Sequence, residues 1–181
     1  MRPLIADGAT AQPAGQARSR RYTPTVSLAL DSSVLIRRAE PSDDAFFARL
    51  GQEAFGDFDL GARETTLGIV RQGGMLTLVA TVDAQPVGFV ALELGRSGVG
   101  HVQAIAVRAT QRGRGFGQRL LVAAERAARG RGATLLHLTT AQANVEAIAL
   151  FLKCGFTIER RHRRFYRRGQ DACTMVKDLQ G

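Results

Sequence analysis

Apolar and polar positions alternate along the chain in patterns that predict short strands and helices after about residue 33. In chain order the prediction is a strand at 33–38, helices at 45–54 and 63–71, strands at 75–82, 87–94 and 101–107, a helix at 118–129, a strand at 134–140, a helix at 145–153, and strands at 156–163 and 172–177. The order β-α-α-β-β-β-α-β-α-β-β predicts a mixed α/β fold. Its sheet should have a β-α-β unit in the middle and helices on its faces.

Boundary residues set the limits of these elements. The run Pro-Ser-Asp-Asp at 41–44 is a helix-start signal, and Asp-Ala-Gln-Pro at 83–86 is a hairpin signal between two strands. The helix at 118–129 has an apolar stripe that predicts a core-facing surface, formed by Leu120, Leu121, Ala124 and Ala127.

Residues 1–32 are rich in Ala, Gln, Pro, Gly and Arg and show no periodicity, so we expect a disordered tail followed by one domain at 33–181. No apolar run approaches the roughly 20 residues that a membrane span needs. The first residues lack the apolar core of a signal peptide, because Pro, Gly, Gln and Arg interrupt them. The expectation is therefore a cytoplasmic protein that does not enter a membrane.

The chain carries a formal net charge of +9 and has two cysteines and three histidines. The cysteines and histidines have no metal-ligand spacing, so no metal is expected. The positive charge suits a polyanionic cofactor, an acidic substrate or nucleic acid. Arginines cluster at 160–168, where only Phe165 and Tyr166 could stack on bases, so a solvated basic face is an equal alternative.

A glycine-rich turn at 111–117, Gln-Arg-Gly-Arg-Gly-Phe-Gly, separates the predicted strand at 101–107 from the helix at 118–129. Free N–H groups at a helix N-terminus bind anions, and glycine lets the backbone approach a phosphate. Arg112 and Arg114 add positive charge. The turn is therefore a predicted diphosphate site, although glycine alternation alone also occurs in plain turns.

Two common phosphate motifs do not fit this turn. A P-loop needs Gly-Lys-Ser/Thr at its end, and the turn contains no lysine. A dinucleotide fingerprint needs G-x-G-x-x-G and a later acidic residue, whereas the spacing here is G-x-G-x-G and the next strand ends in threonines.

The spacing Arg112-x-x-Gly115-x-Gly117 resembles the signature of the GCN5-related N-acetyltransferases (GNAT). The segment 144–156, from Asn144 through Phe151 to Phe156, is similar to that family's N-x-x-A-I-x-L-Y-x-K-x-G-F motif. The segment 166–175, which begins at Tyr166, resembles its closing Y…D-A…M hairpin. The resemblance covers roughly residues 34–179 and implies a central mixed, mostly antiparallel sheet flanked by helices.

The resemblance implies that acetyl-CoA is the co-substrate. Turn amides would hold its pyrophosphate, and the main chain of the preceding strand would hold the pantetheine arm. Asn144 would contact that arm, cap its own helix, or do both. The residues that would bind the cofactor are Ile105, Ala106, Val107, Arg112, Gly113, Arg114, Gly115, Phe116, Gly117, Asn144 and Phe151.

The chain departs from the family at both usual acid–base positions. Phe151 stands where many members have a tyrosine acid, and Thr139 where some have a glutamate base. The candidate catalytic residues are Tyr166, on the hairpin strand that faces the acceptor cleft in the resembling family, and Glu93, near the end of a central strand. His101, with a suitable intrinsic pKa for its residue type, is a further candidate, and ordered water is an alternative. The Val107 amide is the candidate that polarises the thioester carbonyl.

The sequence therefore predicts an N-acetyltransferase that acts by direct attack in a ternary complex. The acceptor would be a primary amine of a small molecule, an amino acid or a protein N-terminus, bound by segment 55–64 and the C-terminal hairpin. One alternative is an acyl-CoA-binding sensor without turnover. Another is a nucleic-acid-directed basic protein, and a homodimer is compatible with the sequence.

Overall fold

A mixed sheet forms the centre of the computed structural model, which describes residues 34–56, 66–95 and 98–181. The strands are β1 (Val34–Arg38), β2 (Met75–Val82), β3 (Gln85–Leu94), β4 (Val99–Val107), β5 (Leu135–Ala141), β6 (Thr157–His162) and β7 (Ala172–Asp178). The helices are α1 (Asp44–Phe55), α2 (Thr66–Arg71), α3 (Phe116–Arg129) and α4 (Val145–Lys153). Within the described residues, the order of strands and helices along the chain is the predicted one. The predicted tail at 1–32, the start of the helix expected at 63–71 and most of the expected acceptor segment 55–64 lie outside those residues.

The strands lie in the order β1-β2-β3-β4-β5-β7-β6. The β4–β5 pair is parallel, and the other neighbouring pairs are antiparallel. The parallel pair is joined through α3, which makes it the predicted β-α-β unit. The expectation of a mostly antiparallel mixed sheet with helices on its faces is confirmed.

The β2–β3 hairpin turns more tightly than predicted. Asp83 and Ala84 both have positive φ, and pairing resumes at once between Val82 and Gln85. Two central residues with positive φ match the twist of antiparallel strands, so a two-residue turn replaces the expected four-residue loop. Pro86 then lies in the strand, next to a bulge in the pairing with β2.

Two apolar clusters cover the two faces of the sheet. One packs beneath α3 and α4 and includes Leu120, Leu121 and Phe151. The other packs beneath α1 and α2 and includes Phe47 and Phe89, whose ring centroids lie 5.2 Å apart. The stripe predicted on the third helix is thus largely buried: Leu120, Leu121 and Ala124 have 0% exposure.

A bulge in β4 lies next to the point where its pairing with β5 ends. Ala91 pairs with Ala104 and Leu92 with Val102, so Gln103 is an extra residue. The bulge shifts which side chains of β4 point to each face of the sheet. Val102 packs on the α3 side, whereas Ala104, two residues later, packs on the α1 side. The parallel pairing of β4 with β5 ends at Val102 and Leu138. Beyond that pair the two strands diverge, and a gap opens in the middle of the sheet.

Candidate active site

A cavity of about 390 Å³ opens at this gap. Its walls come from the end of β4, the glycine turn, the start of α3 and one side of α4. Ala54 and Phe55 also line it, from the end of α1 on the other face of the sheet. The cavity therefore extends toward both faces of the sheet. Its lining residues are Ala54, Phe55, Ile105, Ala106, Val107, Gln111, Arg112, Gly113, Gly115, Phe116, Gly117, Gln118, Asn144, Glu146, Ala147, Leu150, Phe151 and Lys153.

The glycine turn has the geometry of an anion site. Gly113 and Gly115 have φ values of 73° and 81°, in the left-handed region. No heavy atom lies within 4 Å of the position that a Cβ would take on either residue. Gly115 is the N-cap of α3, and its carbonyl accepts the first helical hydrogen bond, from Arg119 N–H at 3.0 Å. The preceding N–H groups of the first turn have no intrahelical partner and are available to an anion.

The main chain of β4 presents a free edge to the cavity. Arg108 N–H donates to the Val87 carbonyl at 2.9 Å, so this residue faces β3. Main-chain groups alternate in direction along an antiparallel strand. The amides of Val107 and Ile105 therefore point away from β3, toward the gap. An extended polar chain placed there could form strand-like hydrogen bonds with them.

The two arginines of the turn have different surroundings. Arg112 Nε donates to the Val107 carbonyl at 3.4 Å, and Arg112 lies 3.9 Å from the Glu146 carboxylate. Both of these side chains are exposed, so the pair leaves the Arg112 charge available to a ligand. Arg114 donates to Gln111 Oε1 at 2.8 Å. It lines a separate groove of about 1050 Å³ between β1, β2 and the outer side of α3.

Asn144 and Phe151 come from α4. The Asn144 side chain accepts a hydrogen bond from Ala147 N–H at 3.2 Å, so it caps the helix while also lining the cavity. Phe151 is buried, with its ring centroid 6.0 Å from that of Phe156. It presents an apolar ring to the cavity, and a phenyl ring can neither donate nor accept a proton.

Of the residues predicted to bind the cofactor, all except Arg114 line this one cavity. Whether they bind acetyl-CoA stays a prediction. Phe55, the first residue of the expected acceptor segment, also lines the cavity, whereas wall residues such as Ala54, Ala147 and Leu150 were not predicted. The helical spacing of Ala147, Leu150 and Phe151 could have indicated the wall from α4.

Glu93 and Tyr166, the two candidate catalytic residues, lie outside the cavity lining. Glu93 accepts a hydrogen bond from Gln103 Nε2 at 2.7 Å and is paired across the strands with His101. The expectation that Tyr166 lies on a strand is wrong, because β6 ends at His162 and β7 begins only at Ala172. Tyr166 lies in the connection, where a short turn is closed by its carbonyl and Gly169 N–H at 2.8 Å. Burial raises the pKa of the Tyr166 phenol.

Several polar side chains lie on the face of the sheet opposite α3 and α4, beside the apolar cluster that packs under α1 and α2. His101 and His137 are cross-strand neighbours, with ring centroids 5.6 Å apart. Thr139 Oγ1 lies 3.1 Å from Thr174 Oγ1, and Thr174 Oγ1 lies 2.9 Å from His162 Nε2. The histidines have no metal-ligand spacing in the sequence, and these groupings were not predicted. Polar residues at alternate positions of three strands were the available signal.

The arginines at 160–168 do not form one continuous face. Arg160 pairs with Thr174 and Arg161 with Cys173, so their side chains lie on opposite faces of β6. In the part of the chain that the structure describes, no group of three or more His, Cys, Asp or Glu side chains is placed to hold a metal ion. None of the described helices is long and apolar enough to cross a membrane.

Comparisons with known proteins agree with this geometry. A search of curated proteins found no significant match. Among solved structures, the chain is similar to an IAA acetyltransferase from Bacillus cereus ATCC 14579, at 25% identity and a TM-score of 0.66, over 81% of this chain and 99% of that one. It shares its fold with the ribosomal-protein-S18-alanine N-acetyltransferase from Escherichia coli, at 21% identity and a TM-score of 0.64, over 82% and 96%. It also shares its fold with a Bacillus subtilis acetyltransferase in complex with CoA, at 20% identity and a TM-score of 0.67, over 81% and 99%.

The model of the acetyltransferase (GNAT) family matches residues 39–156, a span that contains α1, the gap in the sheet, the glycine turn and α4. Since this match covers well over half of the sequence, and since the sheet, the turn and the cavity are those that the motifs predict, the chain belongs to the GNAT acetyltransferase family.

Proposed function

We propose that this chain is an N-acetyltransferase that moves an acetyl group from acetyl-CoA to a primary amine within a ternary complex. One observation carries the proposal: a single cavity joins the open glycine turn, the free edge of β4 and the end of α1. Acetyl-CoA supplies the activated acetyl group as a thioester. The fold relative from Bacillus subtilis, whose structure is a complex with CoA, supports this ligand.

Different groups of the chain would bind the different parts of acetyl-CoA. The N–H groups at the start of α3 and the Arg112 guanidinium would hold the diphosphate. The main chain of β4 would hold the amide-bearing arm. The Val107 amide would polarise the thioester carbonyl, because it points into the gap. Phe151 would pack against the arm without taking part in proton transfer.

The acceptor would reach the thioester from the α1 side of the gap. The proposed acceptors are an N-terminal amine and an amine on a small molecule. The name of the Escherichia coli fold relative, an alanine N-acetyltransferase of a ribosomal protein, favours an amine on a protein. The first experiment is thiol release from acetyl-CoA against free amino acids, small primary amines and a short peptide with an N-terminal alanine. Turnover with at least one amine supports the proposal, and CoA binding with no turnover supports an acyl-CoA sensor. The sensor is the second candidate because Phe151 and Thr139 replace the usual acid and base.

The cofactor site is tested by a matched pair of glycine variants. Gly115 and Gly132 both have positive φ, and neither would place a Cβ within 4 Å of another heavy atom. Only Gly115 lines the cavity. Both Gly→Ala changes should therefore cost about 1–2 kcal/mol of stability from the left-handed backbone. Gly115→Ala should in addition weaken CoA binding at least about tenfold, because lost charge-assisted hydrogen bonds contribute about 1.5–3 kcal/mol.

Calorimetry with CoA measures the affinities of the two variants. Unchanged affinity in Gly115→Ala, or an equal loss in Gly132→Ala, would contradict the assignment of the glycine turn as the phosphate site.

A further inference from the structure

Three hydrogen-bonding side chains follow one another across β5, β7 and β6, on the face of the sheet opposite α3 and α4. Thr139 on β5 is 3.1 Å from Thr174 on β7, measured between their hydroxyl oxygens. The Thr174 hydroxyl is 2.9 Å from Nε2 of His162 on β6. The three strands are neighbours in the sheet. A continuous path of exchangeable protons therefore runs from Thr139 to an imidazole.

The start of this path lies where the sheet opens. Leu138 is the last β5 residue that pairs with β4, and Thr139 follows it directly. Leu138 packs beneath α3 and α4, so the Thr139 side chain points to the opposite face, toward the α1 side. That side contributes Ala54 and Phe55 to the cavity. Thr139 therefore follows the last β5 residue that pairs with β4, outside the cavity lining but on the side from which the acceptor would arrive.

We propose that Thr139, Thr174 and His162 form a proton relay that deprotonates the acceptor amine. The inference rests on the proposed acetyl transfer. A threonine hydroxyl can accept one hydrogen bond while it donates another, and imidazole is the side chain suited to take up a proton near neutral pH. The relay supplies a proton acceptor beyond Thr139, because a threonine hydroxyl does not itself take up a proton near neutral pH.

The proton balance is complete without a further reactant. The ammonium of the acceptor gives one proton to the Thr139 oxygen, whose own proton moves to Thr174, and the Thr174 proton moves to His162 Nε2. The neutral amine then forms its bond to the acetyl carbon, and the carbon–sulfur bond breaks. The sulfur keeps the electron pair and takes the second proton from the nitrogen. His162 finally releases its proton to solvent.

The relay requires one orientation of the hydrogen bonds. Nε2 of His162 must be the acceptor, so the neutral ring must carry its proton on Nδ1. Thr139 must donate to Thr174 and Thr174 to His162, which both distances allow. His162 acts through Thr174 and is a positioning residue in this scheme: it sets the direction of both hydroxyls and receives the proton at the end of the path.

Charged and titratable groups on the neighbouring strands and in the β6–β7 connection enter any pH dependence. They are Arg160 on the same face of β6, and Arg163, Arg164, Tyr166 and Asp171 in the β6–β7 connection, with Thr174 on β7 between His162 and β5. His137 is on the same face of β5, but it pairs with Val176, four residues along β7 from Ala172, the partner of His162. Glu93, the other candidate base, is separated from this group and is hydrogen-bonded to Gln103. The two assignments can therefore be tested by separate variants.

The first measurement is the tautomer of His162 by nitrogen-15 NMR of the histidine rings in the full chain. The His162 signals are assigned by their loss in His162→Gln. We expect the Nδ1–H tautomer, and we expect the Nε2 signal to shift in Thr174→Val. A neutral ring with its proton on Nε2 would overturn the relay. This measurement needs no acceptor amine, so it tests the hydrogen-bond orientation that the relay requires even if acetyl transfer fails.

The second measurement is the pH–rate profile with saturating acetyl-CoA and the amine that gives the fastest thiol release. A general base typically contributes about 10²–10⁴-fold, so His162→Gln and Thr174→Val should each lower turnover about 10²-fold and remove the acidic limb of the pH–rate profile. Thr174→Ser keeps the hydroxyl and should restore the rate. The double variant should be no slower than either single one, because both changes break one path.

His137→Gln and Thr157→Val are the matched controls, since they remove a histidine and a threonine from neighbouring strand positions outside the relay. Both should keep the acidic limb, and CoA affinity should be unchanged in every relay variant. Thr139→Val breaks the path at its other end and serves if Thr174→Val does not fold. Retention of the limb and the rate in His162→Gln, or loss of the limb in Glu93→Gln instead, would overturn the relay. Absence of thiol release from the unaltered chain would count against acetyl transfer and leave the relay to the NMR result.

Discussion

Gly117, at the start of α3, lies close to Leu150 of α4: a Cβ added to Gly117 would lie 2.8 Å from Leu150 Cδ2. Real Cβ atoms essentially never approach another heavy atom so closely, so a larger residue would have to displace the leucine. Both residues line the cavity. The glycine therefore allows the first turn of α3 and the wall formed by α4 to lie side by side around one space.

Gly117→Ala should weaken CoA binding several-fold with little change in the free energy of unfolding. The methyl group meets the end of a flexible side chain, so Leu150 can rotate, and alanine in a helix is favoured over glycine by about 0.5–1 kcal/mol. The displaced Leu150 changes the shape of the cavity. Calorimetry with CoA and thermal unfolding test the two parts. Adding Leu150→Ala should recover part of the affinity, and unchanged binding in Gly117→Ala would contradict this account of the contact.

Arg37 and Asp43 join β1 to the start of α1 through two hydrogen bonds, at 2.7 and 2.8 Å. Glu40 N–H adds a third to the same carboxylate, which is 3% exposed. The Arg37 hydrogen bond, opposed by burial but helped by the Glu40 amide, lowers the pKa of Asp43 below its ordinary value. A lowered pKa stabilises the fold above the unfolded value of about 3.9. That stability is lost as the pH falls through the folded pKa.

Asp43→Asn should therefore destabilise the chain by about 1–3 kcal/mol at pH 7 and reduce the further loss of stability below about pH 4. Urea unfolding at a series of pH values measures both effects. Asp44→Asn is the control, because Asp44 pairs with Arg71 on the surface, where both side chains are more than a third exposed. It should change stability by less than about 1 kcal/mol at either pH. Equal losses of stability in the two variants would show that burial of the Arg37–Asp43 ion pair does not increase its contribution to the free energy of unfolding.

The features that the sequence predicted correctly depend on residues close together in the chain. Gly115 and Gly117 mark the start of α3 because their spacing and lack of side chains are local properties. Asn144 marks the start of α4 for the same reason. These local signals, read with the family resemblance, were enough to identify ten of the eighteen residues that line one cavity.

The features that the sequence did not predict depend on pairing between distant strands. Nothing near Gln103 in the chain marks it as a bulge, because the bulge exists only against Ala91 and Leu92 of β3. Thr139 and Thr174 are 35 residues apart and meet through register alone. Arg114 donates to Gln111 and lines a different groove from the other predicted residues, a choice of rotamer that spacing does not determine.

Lys177 and Glu125 form a largely buried ion pair, with 2.6 Å between Nζ and Oε1. The same Nζ donates to the Cys154 carbonyl at 2.7 Å, so one side chain ties β7 to α3 and to the end of α4. Lys177→Met should destabilise the fold by about 1–3 kcal/mol, because it leaves a carboxylate and a carbonyl without their donor. A double-mutant cycle with Glu125→Gln in urea should give a coupling energy of about 0.5–3 kcal/mol. A coupling energy near zero would mean that the pair adds nothing beyond packing.

The role of Tyr166 in catalysis can be tested by how far its substitution lowers turnover. It lies in the β6–β7 connection rather than on a strand, and its phenol does not line the cavity. Burial raises the pKa of this phenol above the ordinary value, so it stays protonated throughout the neutral range and can act as a hydrogen-bond donor. Because the pKa of the Tyr166 phenol is raised in the folded state, the contribution of the neutral phenol to stability should be present below about pH 10. It should be lost as the pH rises through the folded pKa.

Tyr166→Phe removes only the hydroxyl group, and it should lower turnover about tenfold or less at saturating acetyl-CoA. A lost neutral hydrogen bond contributes about 0.5–1.5 kcal/mol, whereas a lost general acid typically lowers the rate about 10²–10⁴-fold. The smaller effect is expected because the cavity reaches α1 and α4 but not the connection that holds Tyr166. The measurement is kcat for thiol release between pH 6 and 10, with CoA affinity as the control. A drop of about 10²-fold or more, together with loss of the alkaline limb, would instead make Tyr166 the acid that protonates the leaving sulfur. It would also require the connection to close over the cavity when acetyl-CoA binds.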